Sequence, residues 1–315
     1  MDKPHTPSPG PYCGTELAKR AWQQSMPAPR HVTVARTIAA MRSGRASLLT
    51  CWLRRLRLVL HLFRGIAKVA LLFPFLDSTQ KQRAVTRWAR QLLSAAGVQV
   101  VHPDVDTQFA GSVVAANHVS WLDIFVIQSL HPVRFVAKSE IRAWPLIGWL
   151  CARTGTLFIE RERRHHTARI NEVMRDVLQA GGTVGLFPEG TTTDGDQLKK
   201  FHSALFEASI IAAAPLLPAG IVYRNNNGQR SIAAAYVGDT SLLESMLAIT
   251  GEAGINAELR FGAPIHPAGL RRRDLALRAE AAVAALIDVP MPRSHLLPTA
   301  PVQKAPSRTQ ASRPA

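Results

Sequence analysis

The fold is decided by the stretch GSVVAANHVSWLD, which runs from Gly111 to Asp123. Its first six residues form an apolar run of strand length, and a helical pattern begins at Trp121. Ser120 and Asp123 fit a helix-start signature, in which the serine caps the helix and the acid lies three residues inside it. His118 therefore falls at the end of a predicted strand, immediately before a predicted helix.

The His118 and Asp123 pair has two interpretations. In the functional one, Asp123 holds His118 in one tautomer, so that the other ring nitrogen is free to take a proton from an attacking hydroxyl. In the structural one, Asp123 only completes the helix start. Because the chain contains 11 histidines, the pair alone is a weak signal, and the neighbouring segments must decide.

Around this stretch, short apolar runs alternate with helical periods, which is typical of an α/β domain. Further strands are predicted at 134–138, 155–159 and 183–187, and near Leu216 and Ile232. A helix is predicted where Ile170, Val173, Met174 and Val177 share one helical face. The turn signal at 225–228 predicts that the last two strands pair as a hairpin.

A strongly apolar segment from Ser47 to Leu76 is long enough to cross a bilayer as a helix. Its basic side chains follow one another along one helical stripe: Arg57, His61, Arg64 and Lys68. A spanning helix would hold the last two near the hydrocarbon centre, at about 2.5–3.5 kcal/mol each. The pattern therefore favours a helix lying in the membrane interface with its stripe on anionic headgroups. A helix packed on the core with a solvated stripe is the alternative.

The overall composition is basic, with 38 lysines and arginines against 22 acidic residues and a formal charge of +16. Nucleic acid and acidic lipid both fit this charge. Basic residues on an apolar helix, and a count of only three tyrosines, favour the lipid surface. Cys13, Cys51 and Cys151 lack paired spacing, so we expect neither a disulfide framework nor a zinc site. With no leader pattern at the start, we expect an intracellular protein.

Three more segments follow the histidine segment in a fixed order: GTLFIER at 155–161, FPEGT at 187–191 and LPAGI at 217–221. Together the four segments resemble the motif set of the glycerolipid acyltransferases, in particular the bacterial lysophosphatidic acid acyltransferases, over about residues 60 to 264. The resemblance implies an α/β fold with a central mixed sheet flanked by helices, after an amphipathic, membrane-associated helical segment. With the composition of the termini, it divides the chain into a disordered basic segment (1–45), a membrane-associated helical region (46–95), an acyltransferase domain (96–289) and a disordered tail (290–315).

The activity that the resemblance implies is direct transfer of a fatty acyl group from acyl carrier protein or coenzyme A to a lysophospholipid hydroxyl, with His118 and Asp123 as the catalytic pair. The acceptor expected first is 1-acylglycerol 3-phosphate, which would give phosphatidic acid in phospholipid biosynthesis. Neither a metal nor another cofactor is expected. The reaction would take place at the cytoplasmic face of the cell membrane, on a peripheral or monotopic protein.

The same resemblance implies candidate partners for the polar end of the acceptor in the second and third segments, directly after the third, and at the end of the strand predicted at 134–138. These candidates are Lys138, Gly155, Arg161, Glu189, Gly190, Thr191 and Thr192. Lys138 and Arg161 are candidate phosphate ligands, whereas Glu189 would repel a phosphate and is expected to organise its loop or bond a hydroxyl or a basic side chain. Thr192 departs from the family pattern, which has arginine there, and family members that acylate lyso-ornithine lipid look similar in this segment. Lyso-ornithine lipid is therefore the alternative acceptor.

Two other classes of protein remain possible from the residues alone. A metal-dependent phosphohydrolase could use His165, His166 and His202, although the first two lie in a charged run that is typical of a solvated helix start. A non-catalytic lipid-binding protein could share the fold.

Overall fold

The structure is a computed structural model that describes residues 44–102, 109–159 and 164–292. Residues 1–43 and 293–315 lie outside it, so the disorder predicted for both ends falls almost wholly on residues that are not described.

Eight α-helices and seven β-strands form within these ranges. The strands are β1 (Val98–Val101), β2 (Val113–Ala116), β3 (Arg134–Lys138), β4 (Leu157–Ile159), β5 (Val184–Leu186), β6 (Leu216–Asn225) and β7 (Ile255–Phe261). The helices are α1 (Leu48–Leu71), α2 (Ser78–Ala96), α3 (Leu122–Gln128), α4 (Ile147–Arg153), α5 (Arg164–Gln179), α6 (Glu207–Ile211), α7 (Leu242–Gly251) and α8 (Arg272–Leu286).

All seven strands join one sheet in the order β1-β7-β6-β2-β5-β3-β4. Neighbouring strands are parallel except β6 and β7, which pair antiparallel from Ala219 opposite Phe261 to Asn225 opposite Ile255. The predicted mixed α/β sheet is therefore confirmed. Because β2 runs parallel to both β5 and β6, the carboxyl ends of β2 and β5 meet at one edge of the sheet.

Each face of the sheet is covered by a separate apolar core. One core joins the sheet to α5, α6 and α8, and includes Met174, Phe206 and Val283. The other joins it to α1, α2, α3 and α7, and includes Leu93 and Leu122. Strands β2 and β5 are buried along their whole length, as expected for strands covered on both faces.

The predicted hairpin between strands near Leu216 and Ile232 is wrong. The turn at 225–228 forms, but only one antiparallel bridge follows it, between Arg224 and Arg230, before a 3₁₀ turn at Ile232–Ala234. Ile232 is exposed, and Tyr236 beyond it donates its N–H to Val119 O. The strand that pairs antiparallel with β6 is β7, whose alternate residues point into the core, as a strand with one buried face requires.

The N-terminal helices α1 and α2 pack against each other through a narrow stripe of α1. The buried residues of α1 are Cys51, Leu58, His61, Gly65 and Val69. At Gly65 a Cβ atom would lie 2.5 Å from Trp88 Nε1, so only glycine permits this approach of the helices. Asp77 and Gln80 form a capping box that starts α2.

His61 is not part of a headgroup-binding stripe, contrary to the prediction for α1. Its ring is buried, stacks on Trp88 at a centroid distance of 4.9 Å, and donates from Nε2 to Trp88 O at 3.0 Å. Arg57, Arg64 and Lys68 are exposed, as predicted. Among the described residues, no helix is both long and apolar enough to cross a membrane.

Candidate active site

The candidate site lies where the carboxyl ends of β2 and β5 meet, which is where ligands bind in open α/β sheets. Asn117, the first residue after β2, attaches this edge to β6 through both ends of its side-chain amide. Its Nδ2 donates to Ile221 O at 3.0 Å, and its Oδ1 accepts from Ile221 N at 2.7 Å. Because Asn117 is buried, these two bonds fix the path of the chain into His118.

His118 and Asp123 are in direct contact. His118 Nδ1 lies 2.8 Å from Asp123 Oδ2, and because the carboxylate can only accept, Nδ1 carries the proton and Nε2 is the basic nitrogen. Asp123 is completely buried, whereas the His118 side chain is 19% exposed. The pair therefore joins a buried carboxylate to a ring that solvent can reach.

Asp123 is held by hydrogen bonds to both of its carboxylate oxygens. Oδ2 also accepts from the backbone N–H groups of Val119 and Ser120, at 2.7 and 2.9 Å. Oδ1 accepts from the hydroxyl of Tyr223 at 2.7 Å. With four donors around it, this carboxylate has a single fixed orientation.

The predicted helix-start role of Ser120 is only partly correct. Its backbone N–H bonds Asp123, as in half of a capping box, but its buried hydroxyl has no hydrogen-bond partner in the described part of the chain. Asp123 thus takes part in the helix start and bonds His118 with the same oxygen, so the structural and functional interpretations of this residue are compatible.

Tyr223 is a site residue that the sequence reasoning missed. It lies on β6, 100 positions after Asp123, and its side chain is buried. Burial raises the pKa of its phenol well above the usual value, and the neighbouring Asp123 charge acts in the same direction, so the hydroxyl keeps its proton and remains a donor. Its position two residues after Ile221 in a strand was the available signal, because alternate residues share a face.

The His118 ring is oriented by aromatic stacking as well as by Asp123. It stacks on Phe187, the first residue after β5, with centroids 4.1 Å apart and planes 11° apart. Phe187 in turn stacks on Phe135 of β3. These contacts leave the imidazole little freedom to rotate.

Glu189 organises the loop, in agreement with one of the roles expected for it. One carboxylate oxygen accepts from His118 N at 2.7 Å and the other from Lys199 N at 2.8 Å. Burial raises the pKa of Glu189 to about 7, although both backbone bonds and the His118 charge favour its ionised form. Glu189 therefore links the backbone of His118 to the far end of the loop that follows β5.

The predicted acceptor-binding residues of this loop differ in their exposure and in their hydrogen bonds. Gly190 has a positive φ of 76° and donates its N–H to Phe187 O in a tight turn. Thr191 is exposed. Thr192 is half-buried, and its hydroxyl donates to the backbone oxygen of Tyr236. The loop is closed by Arg230, which donates to Gly195 O at 2.6 Å and to Ile287 O at 2.6 Å.

The other candidates are not all brought to this edge. Lys138 is exposed at the carboxyl end of β3, next to β5, and so lies on the same edge as His118. Gly155 precedes β4, near the Arg134 side chain at the start of β3, which places it at the opposite edge because the strands are parallel. Arg161 lies outside the described residues.

The fold and site together define an α/β protein with a histidine–aspartate pair at the carboxyl edge of its sheet, and known proteins resemble this chain in sequence. A family model described as Acyltransferase matches residues 79–222. A lyso-ornithine lipid O-acyltransferase from Pseudomonas aeruginosa is 36% identical over 242 residues, which is 73% of this chain and 93% of that protein. The chain belongs to this acyltransferase family and is an acyltransferase, as the motifs predicted.

One further comparison concerns the family and another concerns the fold. A 1-acyl-sn-glycerol-3-phosphate acyltransferase from Neisseria meningitidis is 36% identical over 204 residues, covering 62% of this chain and 77% of that protein. The crystal structure of the 1-acyl-sn-glycerophosphate acyltransferase PlsC from Thermotoga maritima matches with a TM-score of 0.57 at 19% identity, covering 79% of this chain and 96% of that one. At this identity the second match supports the fold alone.

Proposed function

We propose that this acyltransferase moves a fatty acyl group from a thioester donor to the free hydroxyl of a lyso-lipid, with His118 as general base and Asp123 as its orienting partner. The observation that carries the proposal is the 2.8 Å contact between His118 Nδ1 and the buried Asp123 carboxylate, on a ring that is still 19% exposed. A base held in this way lowers the barrier to attack by a neutral alcohol by about a hundredfold to ten-thousandfold.

The proposed reaction needs no acyl-enzyme. As the acceptor oxygen bonds the thioester carbonyl carbon, its proton passes to His118 Nε2. The tetrahedral intermediate then collapses, the carbon–sulfur bond breaks, and the thiolate takes the proton back from His118. Asp123 stabilises the imidazolium between these two transfers. The same scheme serves acyl carrier protein and coenzyme A, because both present a thioester.

Two acceptors fit the proposal, and they differ in their headgroups. The relatives' names include both 1-acyl-sn-glycerol-3-phosphate and lyso-ornithine lipid acyltransferases. Thr192 stands where the motif of the family has an arginine, and its hydroxyl donates to the backbone oxygen of Tyr236. A neutral side chain bonded in this way provides no bidentate clamp for a phosphate. This contact favours lyso-ornithine lipid over 1-acylglycerol 3-phosphate.

The membrane surface is the proposed location of the reaction, and α1 is the proposed contact. Opposite its buried stripe, α1 exposes a broad apolar face that includes Trp52, Leu60 and Phe63, each more than half exposed. Arg64 and Lys68 lie exposed on the same helix. A large apolar face beside basic side chains is typical of a helix that lies in a membrane interface and binds anionic headgroups.

The acceptor experiment supplies the purified protein with labelled acyl-coenzyme A or acyl carrier protein and either 1-acylglycerol 3-phosphate or lyso-ornithine lipid. We expect transfer to lyso-ornithine lipid in preference to 1-acylglycerol 3-phosphate, at a rate that a metal chelator does not change. The His118→Ala variant should show no transfer to either acceptor. Thr192→Arg is the matched test of the headgroup, and it should raise the rate with the phosphate acceptor relative to the other. Turnover by the His118→Ala variant would defeat the proposed role of the base.

The membrane experiment measures flotation with vesicles of neutral lipid and vesicles containing anionic lipid. We expect stronger binding to the anionic vesicles, weakened by Phe63→Ser and by Arg64→Gln. The matched control is Leu277→Ser, which changes an exposed leucine of α8 on the opposite face of the sheet. Equal loss of binding in the control would show that the α1 face is not specific.

A further inference from the structure

The structure shows a hydrogen-bonded chain of three side chains, Tyr223, Asp123 and His118. The Tyr223 hydroxyl donates to Asp123 Oδ1 at 2.7 Å, and His118 Nδ1 donates to Asp123 Oδ2 at 2.8 Å. We infer that Tyr223 is a positioning residue for the acyl transfer: it acts through Asp123 to set the orientation and the basicity of His118. This inference rests on the proposed function of the His118 and Asp123 pair.

The two carboxylate oxygens of Asp123 accept hydrogen bonds from different donors. Oδ2 serves the local chain, because it accepts from His118 and from the N–H groups of Val119 and Ser120. In the described part of the chain, Oδ1 accepts from the hydroxyl of Tyr223, on a strand distant in sequence. Tyr223 thus holds the carboxylate at the oxygen that His118 does not bond.

The tyrosine is itself held in register with the site. Ile221, two residues earlier on the same face of β6, bonds both ends of the Asn117 side chain. Asn117 directly precedes His118, so one strand fixes the chain on which the base lies and also supplies the donor to its partner. The LPAGI segment ends at Ile221, which gives this segment a role in assembling the site.

The Tyr223 hydroxyl affects how strongly the Asp123 carboxylate stabilises a protonated His118. A hydrogen bond from Tyr223 withdraws electron density from Asp123 and makes this carboxylate a weaker partner for an imidazolium. The groups that face Asp123 are His118, Tyr223 and, at longer range, the Glu189 charge. Without the hydroxyl, Asp123 would rotate more freely and would hold a protonated His118 more strongly. The acid limb of the pH–rate profile would then lie at a higher pH.

The test is Tyr223→Phe, which removes one oxygen from a buried ring. We expect kcat to fall about tenfold with KM unchanged within twofold, because the loss affects the base and not acceptor binding. The acid limb of the pH–rate profile should move to higher pH by about half a unit. In an Asp123→Asn background, the same substitution should change kcat by less than about twofold, since its effect passes through the carboxylate.

Ser209→Ala is the matched control, because Ser209 is fully buried and its hydroxyl donates to Ala214 O at 2.7 Å, in the other core. It should lower the midpoint of thermal unfolding without moving the acid limb. If Tyr223→Phe does not fold, replacing tyrosine by 3-fluorotyrosine keeps the shape, strengthens the donor and should move the limb to lower pH.

These experiments distinguish the inference about Tyr223 from the proposed role of His118 as the base. Two results would overturn the inference about Tyr223 and leave the proposed base intact. One is an acid limb that does not move in Tyr223→Phe or in the 3-fluorotyrosine protein. The other is an effect of Tyr223→Phe that is equally large in the Asp123→Asn background. Turnover by His118→Ala would instead overturn the proposed function on which the inference rests.

Discussion

His61 and His118 both stack on an aromatic ring and both donate from one ring nitrogen, but the acceptor and the exposure of the ring differ. His61 stacks on Trp88 and donates to a backbone carbonyl, inside the contact between α1 and α2. His118 stacks on Phe187 and donates to the Asp123 carboxylate, at the edge of the sheet. The His61 residue is 7% exposed, whereas the His118 side chain is 19% exposed.

This comparison shows which features make a histidine suitable for proton transfer. A carboxylate stabilises the imidazolium that a base must become, whereas a neutral carbonyl does so far less. Burial lowers the pKa of His61, and the positive charges of Arg64 and Lys68 lower it further, whereas the hydrogen bond to Trp88 O raises it. Because burial is the largest of these effects, the ring is held neutral. Stacking and one hydrogen bond are common to both residues and therefore do not identify the base.

The largest predicted effect is the loss of activity in His118→Ala. Removing the base should lower kcat by about a thousandfold, because general base catalysis contributes effects of this size. The rate is measured with the acceptor that the acceptor experiment identifies, and far-ultraviolet circular dichroism checks the fold. His61→Ala provides the contrast, with kcat within about threefold of the unmodified protein. Comparable losses in both variants would remove the distinction between the two histidines.

Asp123→Asn should lower kcat by about a hundredfold. The amide has nearly the same shape but loses the charge that stabilises the imidazolium, and one of its two ends must donate where a carboxylate accepted. The measurement is kcat across a pH series, with thermal unfolding to monitor the fold. Full activity in this variant would mean that His118 does not depend on its partner's charge.

The local parts of the site were accessible from sequence, and the distant parts were not. Strand β3 has the bounds that its apolar run predicted. His118 and Asp123 could be predicted as a pair because they lie only five positions apart, between the end of a strand and the start of a helix. Tyr223 reaches Asp123 only through the pairing of β6 with β2, which no local pattern specifies.

The errors have the same physical origin. The run at Ile232 is apolar and follows a turn, yet whether it becomes a strand depends on which neighbour is available, and β7 takes the place beside β6. His61 fits a basic stripe by its spacing, but the packing of α1 on α2 decides that it is buried. Patterns within one element predicted its type, and contacts between elements decided its surroundings.

The third prediction is that His61 stabilises the folded protein. His61→Ala should lower the free energy of unfolding by about 2–3 kcal/mol, from the lost stacking on Trp88, the lost bond to its carbonyl and the cavity left between α1 and α2. Urea titration measures the change. Leu60→Ala is the matched control on the exposed face of α1, and it should cost less than about 1 kcal/mol.

The smallest predicted effect is a pH dependence that belongs to His61 alone. Since burial lowers the pKa of His61 below 6.5, protons bind more readily to the unfolded chain, and the stability gained from the neutral ring is present above pH 6.5 and lost as the pH falls below it. Phenylalanine keeps the stacking on Trp88 but cannot titrate. The unmodified protein should therefore exceed His61→Phe in unfolding free energy by about 1 kcal/mol at pH 8, and by less at pH 5.5. His131, whose pKa burial also lowers, is present in both proteins and cancels. A difference that is constant or grows on acidification would show that His61 is not held neutral, and the contrast with His118 would then rest on exposure and on the Asp123 carboxylate alone.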